Sequence, residues 1–148
     1  ALLGLATGAV FLFPSLGPTA VMQAHSPDQR ASRPYSVVIG HLCGIAAAYV
    51  AVAAFGVGQA PSVFAAGHLT LGRTAASLIA VAVTGVLQVM LRALHPPAAA
   101  TTLLIALGAF KLDLHDTGVL LVGIGLIAIL GEGLRRLRLG AADEQGNA

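Results

Sequence analysis

The sequence predicts an all-α, polytopic transmembrane protein with two proline-broken short helices and a candidate inverted internal repeat. Composition is the first ground. Of 148 residues, 57% are hydrophobic and only 9% charged, where a soluble domain carries roughly 25% charged residues. The second is a set of apolar stretches of membrane length. The third is a pair of proline-rich breaks at corresponding places in the two halves.

In chain order, Ala1–Phe13 reads as the remains of a membrane helix or the first half of a broken one. The chain opens without Met inside an apolar run and lacks a charged n-region, so it is not read as a signal peptide; more sequence is expected upstream. Pro14-Ser15-Leu16-Gly17-Pro18-Thr19 interrupts this run, and Ala20–Ala24 forms a short helical piece before the polar loop His25–Ser36. Val37–Val57 is a 21-residue apolar span with Gly40 and Gly44 at close-packing GxxxG spacing around His41 and Cys43. Cys43 is the only cysteine, so no intrachain disulfide forms. Gly58–Gly72 is a loop with a surface helix around Val63–His68, and Arg73–Leu91 is the next span.

The stretch Arg92–Phe110 (RALHPPAAATTLLIALGAF) organises the rest. Pro97 forces the residue before it out of the helical region but suits the first turn of a new helix. A helix from Pro97 to Gly108 spans about 18 Å, too short for a bilayer core of roughly 30 Å. Such short apolar helices at polar breaks line pathways in transporters. Lys111–Thr117 is a polar loop, Gly118–Leu134 the last span, and Arg135, Arg136 and Arg138 stop it. The expected organisation is one transmembrane domain over 1–139, repeats at 1–57 and 73–139, and a disordered tail at 140–148.

The repeat rests on FPSLGPTA against HPPAAATT, where Pro14 and Pro96, and Thr19 and Thr101, are each 82 residues apart; Gly40 and Gly123 are 83 apart. Counting three elements per copy inverts the second relative to the first. If each segment changes side and the tail is cytoplasmic, six of the eight cations fall inside, leaving Arg73 and Lys111 outside.

The residues limit the chemistry. Two short helices beginning at Gly17/Pro18 and at Pro97 can aim their N-termini, with partial positive charge and free N–H groups, at one point near the midplane. Ser15, Thr19, Thr101 and Thr102 add hydroxyls there. A cation pathway calls for Asp or Glu. Apart from Glu132, near the end of the last span, neither hinge nor the spans around them hold an acidic residue, so an anion or neutral solute is favoured. His95 can bind substrate, carry a proton or cap the hinge, and His41 can line the pathway or bond a backbone carbonyl. Arg92 either attracts anions or anchors at the interface. Thr84 and Gln88 read as interhelical hydrogen-bonding groups. The DLHD run at Asp113–Asp116 reads as a solvated loop rather than a metal site, and Glu132 pairs with Arg135 and Arg136 at helical spacing. No nucleophile–base pair, phosphate loop or zinc spacing appears, so neither an enzyme nor a cofactor is expected.

LHPPAAATTL (Leu94–Leu103), FPSLGPTAV (Phe13–Val21) and RPYSVVIGHLCG (Arg33–Gly44) together resemble the HPP family of integral membrane proteins, named for the tripeptide. The resemblance covers about Phe11 to Leu134, with Ile39 standing where the family usually has the first of two glycines before the histidine. It implies a small polytopic protein, and in plant members an association with nitrite transport into chloroplasts. Some members carry C-terminal regulatory domains.

These readings converge on a membrane channel or secondary transporter for a small anion, nitrite leading. The candidate binding residues are Ser15, Gly17, Thr19, His41, Arg92, His95, Pro96, Pro97, Thr101 and Thr102. A scaffold or sensor that docks a partner is the rival class. The expected partners are the anion, the lipid bilayer and further copies of the chain in a homo-oligomer, with no nucleic acid. Seven Arg against one Lys, with abundant Ala and Gly, point to a GC-rich bacterial genome and the inner membrane.

Overall fold

A computed structural model describes residues 2–8, 11 and 13–146. The described residues form seven α-helices and no strand: α1 Leu2–Thr7, α2 Leu16–His25, α3 Pro34–Ala54, α4 Val63–Ala66, α5 Leu71–Met90, α6 Ala98–Ala106 and α7 Leu114–Gly146. A 3-10 turn, Arg30–Ser32, precedes α3. Three helices are long and apolar enough to cross a membrane: α3, α5 and the Leu114–Leu139 part of α7.

The helix starts differ from the sequence reading, and the causes are local. α2 begins at Leu16 rather than Ala20, because Pro18 falls in its first turn, where the missing N–H would have no partner anyway. Pro34 does not end the preceding loop; it is the first residue of α3, behind an extended Arg33 at φ −74 and ψ 148. α7 starts at Leu114 rather than Gly118, because Asp113 caps it. The Asp113 carboxylate accepts from Asp116 N–H at 2.7 Å, and Asp116 accepts from Lys111 N–H at 2.7 Å. Asp113, His115 and Asp116 do bring ligand atoms within 4.8 Å of one another, but these capping bonds account for the two carboxylates.

At the other end, α7 runs past Leu134 and past the expected tail boundary to Gly146. Glu132 accepts from Arg135 Nε and Arg136 Nε, each at 2.6 Å, which carries the helix through the arginine cluster. α1 covers only part of the expected first helix. It closes at Gly8, at φ +71, whose N–H bonds Gly4 O; residues 1, 9, 10 and 12 of that stretch lie outside the described residues.

α3 is the centre of the packing and contacts α5, α6 and α7; α2 lies on α7 and α5 on α6. The short helix of each half therefore packs on the long helix of the other half. Glycines set how close the approach is. A Cβ at Gly40 would lie 2.6 Å from His95 Cβ and 3.2 Å from Ala93 O, and one at Gly123 would lie 2.7 Å from Phe13 Cε1 and 2.9 Å from Phe11 O. Ala93 and His95 stand 82 residues after Phe11 and Phe13, as Gly123 stands 83 after Gly40. The two contacts are reciprocal, as a pair of two-fold related halves would produce. The apolar core joins Phe13 and Leu16 to Ile45, Val52, Ile105 and Leu120. Leu78, Val86 and Met90 on α5 and Ile129 and Leu130 on α7 are exposed, an apolar exterior of the kind a bilayer covers.

Candidate functional site

Three backbone segments meet beside α3. On α2, Ser15, Thr19 and Gln23 repeat every four residues and form one buried stripe. The hinge between α5 and α6 carries His95, and its backbone is clamped by Gln88. His95 N–H donates to Gln88 Oε1 at 3.1 Å, while Gln88 Nε2 donates to His95 O and Gly40 O, each at 3.3 Å. α3 supplies His41 between two glycines. Gly44, like Gly40, admits a close neighbour, since a Cβ there would lie 2.7 Å from Thr102 Oγ1. Bare backbone on either side of His41 thus lets the hinge and α6 close over it.

The polar side chains form one chain of hydrogen bonds. Ser15 Oγ lies 2.6 Å from Thr101 Oγ1, which lies 2.8 Å from His41 Nδ1. On the far side of the ring, His41 Nε2 is 3.3 Å from Thr19 Oγ1, which is 3.0 Å from His95 Nε2. The chain ends where His95 Nδ1 meets Ala31 O at 2.8 Å. The two imidazoles sit 5.0 Å apart, centroid to centroid. Ser15, Thr19, His41, His95 and Thr101 are all 0% exposed.

One end fixes every proton. A carbonyl oxygen only accepts, so His95 Nδ1 carries hydrogen, and in a neutral ring Nε2 must accept from the Thr19 hydroxyl. Thr19 oxygen then accepts from His41 Nε2–H, His41 Nδ1 accepts from Thr101, and Thr101 accepts from Ser15. Each neutral group donates once, in one direction. The Thr19 hydroxyl also has a second acceptor in reach, Ser15 O at 3.1 Å. No carboxylate among the described residues takes part in this network.

Five candidate residues are brought together, and five are placed elsewhere. Thr102 is buried beside them but turns to α5, its oxygen 3.0 Å from Thr84 Oγ1. Pro97 is buried at the start of α6, whereas Gly17 and Pro96 are exposed. Arg92 is also exposed, and its backbone is left-handed at φ 52. It ends α5: Ala93 N–H bonds Gln88 O and Arg92 N–H bonds Val89 O, a helix stop usually made with glycine. Arg92→Gly is therefore expected to raise the unfolding midpoint in detergent, with a gain of about 1 kcal/mol from relief of the left-handed penalty. An unchanged or lower midpoint would show that the arginine side chain supplies a compensating contact.

The helix N-termini contribute less than the sequence implies. In the first turn of α6, Ala98, Ala99 and Ala100 N–H already bond the carbonyls of His95, Pro96 and Pro97. Ser15 does not cap its own helix but reaches across to Thr101. The groups that meet are hydroxyls and imidazoles rather than free backbone donors.

Three participants escaped the sequence reading. Gln88 was placed as an interhelical group without its grip on the His95 backbone. Arg73 is buried, donating from Nη1 to Ala106 O at 3.0 Å and from Nη2 to Ala60 O at 2.7 Å. It lines a cavity of about 470 Å³ together with Ser62, Phe110, Lys111 and Asp113. Gln23 is buried against Gly131 with neither amide atom bonded among the described residues. A signal for Arg73 existed: Arg73, Ser77, Thr84 and Gln88 share one helical face of α5, and all four are buried.

A family model described as HPP, transmembrane region, matches residues 1–139. No curated protein and no solved structure matches the chain.

Proposed function

The chain belongs to the HPP transmembrane family, and from that premise we propose that it is a channel or secondary transporter for a small anion, with nitrite the leading candidate. One observation carries this reading. Both broken halves of the protein send polar side chains to a single buried cluster that holds two histidines and three hydroxyls but no carboxylate. Buried polar groups within a membrane domain mark pathways more often than scaffolding. Hydroxyl and imidazole donors suit an oxyanion, and the absence of acids disfavours a cation. With the cluster wholly buried, this conformation is closed at that level. Passage requires the short helices to part from α3 and α7. A bacterial inner-membrane location and a homo-oligomer, its copies meeting through exposed apolar helix faces, belong to the same proposal.

The test is uptake into proteoliposomes holding the purified protein, comparing nitrite, nitrate, formate and chloride against protein-free vesicles. Selective flux that falls at least tenfold in the paired variant Ser15→Ala/Thr101→Ala is expected. Folded protein that moves none of the four anions would remove the transport reading.

A further inference from the structure

The proton arrangement of the buried cluster has a property that transport of an anion alone does not need. We infer that the cluster takes up one proton together with one anion, so that the protein is an electroneutral proton–anion symporter in which Thr19 is the pivot. This rests on the proposed anion transport and specifies its coupling ion and stoichiometry.

The neutral network is saturated, each of its five groups donating once along the chain from Ser15 to Ala31 O. A proton added at His95 Nε2 reverses one bond only. His95 then donates from both nitrogens, to Ala31 O and to Thr19 Oγ1, which lie 2.8 and 3.0 Å away. The Thr19 hydroxyl swings its hydrogen to Ser15 O at 3.1 Å. Thr19 oxygen now accepts from both imidazoles through its two lone pairs, and no bond is lost. A proton added at His41 Nδ1 has no such outlet among the described residues, because Thr101 would turn its hydrogen back on Ser15, whose hydroxyl has no other partner there. The geometry thus accommodates an extra proton at His95 and not at His41.

What the cationic form lacks is a counter-charge. The elements packed around His95 present Thr19 from α2, His41 from α3, Gln88 from α5, Thr101 from α6 and the Ala31 carbonyl from the 3-10 turn. None is acidic. Arg30, Arg33 and Arg92 nearby in the chain are exposed cations, and Glu132 is already paired with Arg135 and Arg136. An unpaired buried charge is costly in a low-dielectric interior. An entering anion beside the cationic ring supplies the missing charge. The two enter as a neutral pair. On release the proton passes from Nε2 to water, an N–H bond breaking as an O–H bond of hydronium forms, and Thr19 turns back to His95.

The experiment records anion uptake and internal pH together in proteoliposomes, with potassium and valinomycin setting the membrane potential independently of the pH gradient. Nitrate and nitrite are the probes, corrected for protein-free vesicles. Wild type is expected to move one proton per anion, to accumulate anion about tenfold per unit of imposed pH difference, and to ignore the potential. Thr19→Val removes the pivot hydroxyl at nearly constant volume and is expected to abolish pH-driven accumulation. Thr19→Ser restores the hydroxyl and is expected to retain it, which separates loss of the relay from loss of the fold. Anion flux that follows the potential and disregards the pH gradient overturns the symport and leaves anion transport standing. Coupled flux that survives in Thr19→Val overturns the pivot. Absence of flux for both anions in folded wild type overturns the transport reading and the symport with it.

Discussion

Gly40→Ala is expected to destabilise the protein by about 3 kcal/mol, the upper end of the overpacking range, and to abolish uptake. The added methyl carbon would lie 2.6 Å from His95 Cβ, 3.2 Å from Ala93 O and 3.5 Å from Gln88 Nε2. Two of these three neighbours are backbone or backbone-attached atoms, so no flexible side chain can turn aside. Either α3 or the hinge must move, and the hinge is held by the Gln88 amide on both sides of His95. Movement there separates His95 from Thr19 or from Ala31 O. Gly123→Ala tests the reciprocal contact, where the methyl meets the edge of the Phe13 ring and Phe11 O. Its effect should be comparable, since the ring can tilt but the Phe11 carbonyl, closer than Ala93 O is at Gly40, cannot. Gly85, on the same scale, has nothing within 4 Å of its Cβ position, so Gly85→Ala is the matched control. Thermal unfolding in detergent reads all three. A Gly40→Ala midpoint no lower than that of Gly85→Ala would mean that α3 and the hinge are not in close contact.

The same glycines show how far the sequence was legible. The Gly40/Gly44 spacing marks a close-packing face and the offset between the two proline hinges marks a repeat, because close helix approach leaves a mark in residue size; neither names His95 or Phe13 as the residue met. Helix starts were harder. Pro18 reads both as part of an interruption and as a helix start, and Pro34 as part of a polar loop; each sits in a first helical turn, where proline lacks only a donor that has no partner. The sequence gives the residue but not its position in the turn, and the same proline either ends or begins a helix accordingly. Arg92 reads from its side chain as an anion lure or an interfacial anchor; residue type does not announce its left-handed backbone, a helix stop in a place where glycine is usual.

The cluster was legible by composition and not by connectivity. Ser15, Thr19, His41, His95 and Thr101 stood out as polar groups in apolar surroundings. Their partners lie as far as 86 residues away in sequence, as for Ser15 and Thr101, and no local pattern encodes such a pairing. The Ala31 carbonyl could not be seen at all, because a backbone acceptor has no residue type to mark it, yet it orders every proton in the chain. The occupied first-turn donors of α6 escape the sequence for a related reason. Whether a first-turn N–H is free depends on the conformation of the residues before it, and the HPP turn folds its own carbonyls back onto those donors.

His95→Ala and His95→Asn are expected to part company, and the difference between them assigns the histidine. Alanine deletes the whole ring from a site with no solvent access. It leaves Ala31 O without its donor and removes the Thr19 acceptor on that side, besides opening a cavity, so a loss of about 3–4 kcal/mol is expected. Thr19 can still turn to Ser15 O, which keeps the loss from being larger. Asparagine is shorter, but its amide can reproduce the donation from Nδ1 to Ala31 O, and it cannot take up a proton. It should therefore recover about half of the lost stability. Uptake separates the roles further. If the imidazole carries the proton that accompanies the anion, both variants are inactive although asparagine regains about half of the stability that alanine loses. If His95 only fastens the hinge to the 3-10 turn, the asparagine variant transports in proportion to its stability. An asparagine variant that is stable and fully active would reduce His95 to a clamp and leave Ser15, Thr19, His41 and Thr101 as the groups an anion has to pass.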